Sequence, residues 1–113
     1  MANRRRGEVS ATVDGRRYTL CLTLGSLAEL EDAFGVDDLG ALAARFGTGR
    51  LSVMDLVRIF GAGLRGAGHP ISDEEVRAMP VGGGLHEIAA AVAALLDATF
   101  GAPSPNPPEP QQA

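Results

Sequence analysis

Two segments of alternating polarity, separated by the dipeptide Asp14-Gly15, constrain the fold of this chain more than any other feature. The apolar members of the two segments are Val9, Ala11, Val13, Tyr18, Leu20 and Leu22. Asp-Gly readily adopts the positive φ angles of a type I′ turn, so the pattern predicts a β-hairpin. A two-residue turn would place Ala11 opposite Tyr18 and Val9 opposite Leu20 on one apolar face. Because an isolated hairpin is marginal in water, we expect helices or another strand to cover that face.

The chain from the hairpin to residue 100 carries the start signals of helices. A capping box, in which a serine and an acid three residues later bind each other's backbone amides, is predicted at Ser26/Glu29, Ser52/Asp55 and Ser72/Glu75. We predict helices over residues 27–34, from Asp37 or Asp38 to Phe46, over 53–65, over 73–79 and over 85–100.

Apolar residues recur at helical spacing along these segments. In the first helix, Leu27, Leu30 and Phe34 share one face, which we expect to cover the hairpin. In the third helix the apolar face comprises Val53, Leu56, Val57, Phe60 and Leu64, and the far side comprises Asp55, Arg58 and Arg65.

Length and composition indicate one domain with two unstructured ends. A chain of 113 residues buries roughly two thirds of its unfolded surface, which is enough for a modest core. Residues 1–6 form an Arg-rich start, predicted to be flexible. Residues 101–113 contain five prolines and no large apolar residue, so we predict a disordered tail. The expected fold is a single α+β domain over 7–100, with an N-terminal hairpin packed against four to five helices.

The sequence contains no recognisable export or membrane segment. Arg4-Arg5-Arg6 is followed by residues of alternating polarity rather than by an apolar core of a signal peptide. The longest apolar run, residues 88–96, has about half the length needed to span a bilayer. Cys21 is the single cysteine and cannot form an internal disulfide. These features predict a cytoplasmic protein that does not enter a membrane.

Charge is distributed unevenly along the chain. Residues 1–17 have a net charge of +3, whereas the remainder has a net charge of −7, and all ten basic residues are arginine. An acidic domain with five scattered aromatic residues and no RNA- or DNA-reading motif disfavours nucleic-acid binding.

A glycine motif in the third helix resembles a phosphate-binding loop. Gly61-Ala62-Gly63-Leu64-Arg65-Gly66 matches G-x-G-x-x-G, which binds a pyrophosphate when it connects a strand to a helix. Here the motif ends a helix and is followed by Gly-His-Pro, so a nucleotide site is disfavoured. We interpret the glycines as allowing close approach of a neighbouring helix and then ending their own helix.

The remaining polar residues do not form a recognisable catalytic, cofactor or metal site. His69 and His86 lie far from other ligand types, and nothing in the sequence provides a base to activate Cys21. The acidic stretch Glu29, Glu31, Asp32, Asp37 and Asp38 is interpreted as a solvated surface with helix-capping acids, and alternatively as a dock for a partner. We therefore predict no catalytic, cofactor-binding or metal-ligating residue.

Three segments carry a resemblance to a known family. They are Leu24-Gly25-Ser26-Leu27-Ala28-Glu29-Leu30-Glu31 directly after the hairpin, the Ser-Val-x-Asp-Leu-Val-Arg segment at 52–58, and the Gly-Ala-Gly-Leu-Arg-Gly-Ala-Gly segment at 61–68. With them the chain, over roughly residues 7–100, resembles small tail proteins of bacterial gene transfer agents and related prophages, a family grouped with tail assembly chaperones. These segments are packing and capping signatures, and the family has no catalytic residues to transfer.

The resemblance implies a non-enzymatic chaperone that holds the tape-measure protein soluble and brings tail-tube subunits to it. The alternative is a structural tail component that is incorporated in the particle. A third candidate, a small transcription regulator, would need a basic recognition helix, and residues 53–65 offer Arg58 and Arg65 for this purpose. The two edges of the hairpin are also candidate sites for pairing with a partner strand or with a second copy.

Overall fold

The hairpin forms as its alternating pattern predicts. In the computed structural model, which describes residues 7–80, 82 and 84–101, strands β1 (Glu8–Val13) and β2 (Arg16–Cys21) pair antiparallel. Ala11 lies opposite Tyr18 and Val9 opposite Leu20, the predicted register. Asp14 and Gly15 have φ angles of 52° and 81°, as a type I′ turn requires. The predictions for residues 1–6 and for the tail after Gly101 lie outside the described residues.

Five helices follow the hairpin in the described part of the chain, which confirms the α+β class. They are α1 (Leu24–Phe34), α2 (Leu39–Gly47), α3 (Val53–Gly66), α4 (Asp73–Arg77) and α5 (Leu85–Phe100). The capping boxes at Ser52 and Ser72 are both present. At the start of α2, the Asp38 carboxylate accepts a 2.7 Å hydrogen bond from the Ala41 amide. The predicted α4 was too long by two residues.

The prediction that Ser26 and Glu29 cap α1 was wrong. Thr23 is the capping residue, and its hydroxyl oxygen accepts a 3.0 Å hydrogen bond from the Ser26 amide. Ser26 therefore lies inside the helix, where its buried hydroxyl donates to the carbonyl oxygen of Ala62 in α3 at 3.3 Å. Threonine and serine both cap well, so the local sequence offers two starts. The contact of Ser26 with α3 favours the earlier one.

Helices cover the apolar face of the hairpin, as expected. Helix α3 packs on β2 and α5 packs on β1. The expectation that α1 covers the hairpin was wrong, because α1 packs mainly on α3 and α2. The largest fully buried side chains come from both strands and from α1, α2, α3 and α5: Val13, Leu20, Leu30, Leu42, Ile59, Phe60, Leu64, Val92 and Leu95. One core therefore joins the hairpin to the helices.

The apolar face of α3 is rotated relative to the predicted one. Val53, predicted to be apolar core, is 65% exposed, whereas Ile59 is fully buried. Asp55, predicted on the far polar side, is 4% exposed. Its carboxylate accepts hydrogen bonds from the Ser52 amide at 2.9 Å and from the Arg45 guanidinium at 3.1 Å. The approach of α2 through Arg45 explains why an acid is buried at this position.

Leu30→Ala tests whether the α1 face belongs to the core. Leu30 is 1% exposed, so we expect its truncation to lower the free energy of unfolding by about 2–5 kcal/mol. Leu24→Ala is the matched control, because Leu24 lies on the same helix and is 86% exposed. Urea denaturation followed by circular dichroism measures both, and equal midpoints for the two variants would contradict the assignment.

Asp55→Ala tests the buried acid at the start of α3. The substitution removes the carboxylate that accepts from the Ser52 amide and the partner of Arg45, so we expect a loss of about 2 kcal/mol. Glu75→Ala removes the equivalent capping-box acid of α4, which is exposed, and should cost less than about 1 kcal/mol. The same denaturation assay measures the difference, and a larger loss for Glu75→Ala would refute the ranking.

Candidate functional site

The G-x-G-x-x-G motif lies inside α3 and packs against the rest of the domain. A Cβ atom at Gly63 would lie 2.6 Å from Leu95 of α5 and 3.0 Å from Leu20 of β2. A Cβ atom at Gly66 would collide with the carbonyl oxygen of Cys21 in β2 and would lie 2.8 Å from the Ser26 hydroxyl. The glycines thus allow α3 to approach the hairpin as well as helices, and their position within a helix does not fit a phosphate-binding turn.

The end of α3 differs from the predicted stop at Gly66. The helix ends through Gly68, which has a φ of 100°. The His69 amide donates to the Leu64 carbonyl at 2.9 Å, and the Gly68 amide donates to the Arg65 carbonyl at 3.0 Å. This pair of hydrogen bonds is a Schellman motif, which requires a left-handed residue at the position of Gly68.

Arg65 joins three helices through its guanidinium. It donates to Glu29 of α1 at 2.8 Å, to Asp73 of α4 at 3.0 Å and to the Ile71 carbonyl at 2.9 Å. Burial penalises the charged form of this guanidinium, but the hydrogen bonds to Glu29 and Asp73 outweigh that effect and raise the pKa of Arg65. Glu29, which was predicted to cap α1, is instead a partner of Arg65.

Arg58 is also engaged within the fold. It donates to the Ala33 carbonyl at 2.9 Å and lies 5.8 Å from the centre of the Phe34 ring. Since Arg58 and Arg65 both bind α1, the arginines that a DNA-recognition helix would need are turned toward the protein. This arrangement does not favour the transcription-regulator alternative.

The acidic stretch is divided between structural and exposed positions. Glu29 pairs with Arg65 and Asp38 caps α2, whereas Asp32 and Asp37 are exposed and Glu31 is half-buried. The first two positions fit the interpretation of helix-stabilising acids. The exposed acids are available for an electrostatic contact with a partner.

The two histidines and the cysteine lie in different segments of the chain. His69 is exposed and its ring lies 6.3 Å from that of Tyr18, His86 is exposed near the start of α5, and Cys21 is half-buried at the end of β2. Within residues 7–80, 82 and 84–101, no three His, Cys, Asp or Glu side chains are placed to share a metal ion.

An apolar groove lies between α2, the start of α3 and the C-terminal half of α5. Its volume is about 750 Å³, within the range of protein ligand sites. Small residues and large apolar residues both line it, among them Ala43, Phe46, Gly47, Leu56, Ala93 and Leu96. Asp97 is the charged residue of the lining, and Phe100 and Gly101 lie at the same end.

This groove was not predicted from the sequence, although α5 carries a signal for it. Ala89, Ala93, Leu96 and Phe100 follow one another at intervals of three or four residues and line the groove. They run beside a second stripe, Ile88, Val92 and Leu95, which is buried in the core. A helix that is apolar on two sides needs two partners. Among the described residues, the stripe of Ile88, Val92 and Leu95 has a closely packed partner, whereas the groove-lining stripe does not.

The outer edge of β1 is a second candidate binding surface. In a hairpin with a two-residue turn, the backbone groups of Ser10 and Thr12 point away from β2. Both residues are exposed, and the described residues contain no strand that pairs with this edge. An open edge of this kind can accept a strand from another protein.

Gly66→Ala tests whether the glycine motif serves packing. Because the added methyl group would meet backbone atoms of β2, we expect a loss of about 1–3 kcal/mol in the free energy of unfolding. Gly40→Ala is the matched control, since its Cβ would be 3.5 Å from an Asp38 oxygen and α2 should gain up to about 1 kcal/mol. Thermal unfolding measures both, and a stabilised Gly66→Ala protein would contradict the packing role.

No helix in the described part of the chain combines the length and apolar character needed to cross a bilayer. Comparison with curated proteins and with solved structures gives no match. A family model described as phage tail tube protein, GTA-gp10, matches residues 6–102. The match includes the hairpin, all five helices and the groove between them. The chain therefore belongs to this family of phage and gene transfer agent tail proteins.

Proposed function

We propose that the chain is a structural component of the tail of a gene transfer agent or a related phage-like particle, and that it acts by binding other tail proteins without catalysing a reaction. The observation that carries this proposal is the family match over residues 6–102, whose description is a tail tube protein. This description favours an incorporated component over the chaperone that the resemblance implied.

Two surfaces of the domain support a role in assembly. The outer edge of β1 presents the backbone groups of Ser10 and Thr12, and the groove presents apolar side chains of α2, α3 and α5. A tail repeats the same subunit contacts many times, so each subunit needs one surface that binds and another that is bound. A strand edge and an apolar groove on different elements can serve in this way.

A tail assembly chaperone remains the second candidate, and the groove is the observation that favours it. A chaperone must hold an apolar segment of another protein, here the tape-measure protein, and the groove can receive such a segment. Delivery of tail-tube subunits would be part of the same role. In both candidates the partners are tail proteins, and the site of action is the cytoplasm in which particles assemble.

The two candidates differ in what happens to the protein after assembly. Quantitative mass spectrometry of purified particles should detect this chain in a fixed ratio to the other tail proteins. A cytosolic enzyme that is added to the lysate in a known amount before purification measures how much soluble protein contaminates the particles.

The chaperone alternative predicts a different pair of results. The chain would be absent from finished particles, and co-expression would make an otherwise insoluble tape-measure fragment soluble and co-purify it. That pair of results would overturn the structural-component proposal. Presence in the particle, with no effect on the solubility of the fragment, would support it.

A further inference from the structure

The groove between α2 and α5 has the composition of a site for a helix. Its borders are helices α2, α3 and α5 together with the loop that joins α2 to α3, so it offers no strand edge for backbone pairing. Small side chains such as Ala43 and Ala93 lie among large ones such as Phe46 and Leu96. Such a surface of small and large residues accepts the ridge of side chains along a helix.

Charge at one end of the groove restricts the occupant further. Asp97 lines the groove one turn before the end of α5, and the last turn of α5 contains no basic residue. The negative end of the helix dipole therefore adds to the Asp97 carboxylate. A basic side chain on the occupant would be favoured at this end.

Other parts of this chain fit the groove poorly. Outside the groove itself, the exposed large apolar residues lie singly or in pairs at helix starts (Leu24, Leu39, Val53, Met54 and Leu85), so a second copy presents no further stripe of large apolar side chains among the described residues. Residues 102–113 contain five prolines and no large apolar side chain that could fill the groove.

We infer that the groove binds an amphipathic helix of another protein, with a leucine-rich face in the groove and a lysine or arginine beside Asp97. This inference rests on the proposed function only in that the chain acts by binding proteins. It holds for both a tail component and a chaperone, and it can fail while either of those roles stands.

Binding is tested with two labelled synthetic peptides and the purified full chain. Both peptides carry leucines at alternating three- and four-residue intervals, and one ends its apolar face with lysine where the other has glutamate. Fluorescence anisotropy at low salt should show binding of both peptides, with the lysine peptide about two- to fivefold tighter. Asp97→Lys should reverse that preference.

Ala93→Trp and Ala90→Trp are the matched pair of variants. Both residues are exposed on α5, but only Ala93 is part of the groove lining. Ala93→Trp should weaken peptide binding by at least about tenfold, and Ala90→Trp should bind as the parent does. Gly47→Leu, placed in open space on the α2 side, repeats the test if Ala93→Trp does not fold.

Several outcomes would overturn the inference. They are no binding of either peptide, equal binding by Ala93→Trp and the parent, and no change in peptide preference for Asp97→Lys. A chain truncated after Gly101 that binds the peptides much more tightly would assign the groove to the tail of this chain. Parent dimers in analytical ultracentrifugation that Ala93→Trp dissociates, without peptide binding by the parent, would assign it to a second copy.

Discussion

The close approach of α3 to β2 is the contact on which the rest of the domain depends. Gly66 lies against the backbone of Cys21, and Gly63 leaves room for both Leu20 and Leu95. A side chain at either position would separate the helix from the hairpin and, with it, the other elements that contact α3. The Ser26 hydroxyl and the Arg65 guanidinium then attach α1 and α4 to the same helix. Small residues on one helix thus allow a short hairpin to share a core with several helices.

The same arrangement explains why an apolar groove remains open. Helix α2 is attached on one side, through the ion pair of Arg45 with Asp55 and through the packing of Phe46 on Phe34, whose ring centres are 5.3 Å apart. Toward α5 the contact is looser, with the rings of Phe46 and Phe100 6.4 Å apart at one end of the groove. The groove therefore results from how α2 is anchored.

The sequence predicts local features of this fold well and contacts between distant elements poorly. The hairpin register and two capping boxes follow from residues that lie within a few positions of each other. The predicted start of α1 was wrong because the Ser26 hydroxyl binds the carbonyl oxygen of Ala62 in α3. The burial of Asp55 was missed because it depends on Arg45 in α2. The groove was missed for a related reason: the groove-lining stripe of α5 (Ala89, Ala93, Leu96 and Phe100) is visible in the sequence, but the distance between α2 and α5 is not.

Helix α5 connects the two candidate binding surfaces. Its buried stripe supports the hairpin that carries the β1 edge, and its other stripe lines the groove. A partner that binds the groove only when α5 is folded would stabilise α5 in place, and this stabilisation extends to the hairpin that packs on it. An isolated two-stranded hairpin is marginal in water, so the edge depends on this support. Occupancy of the groove would thus also favour the folded hairpin that carries the β1 edge.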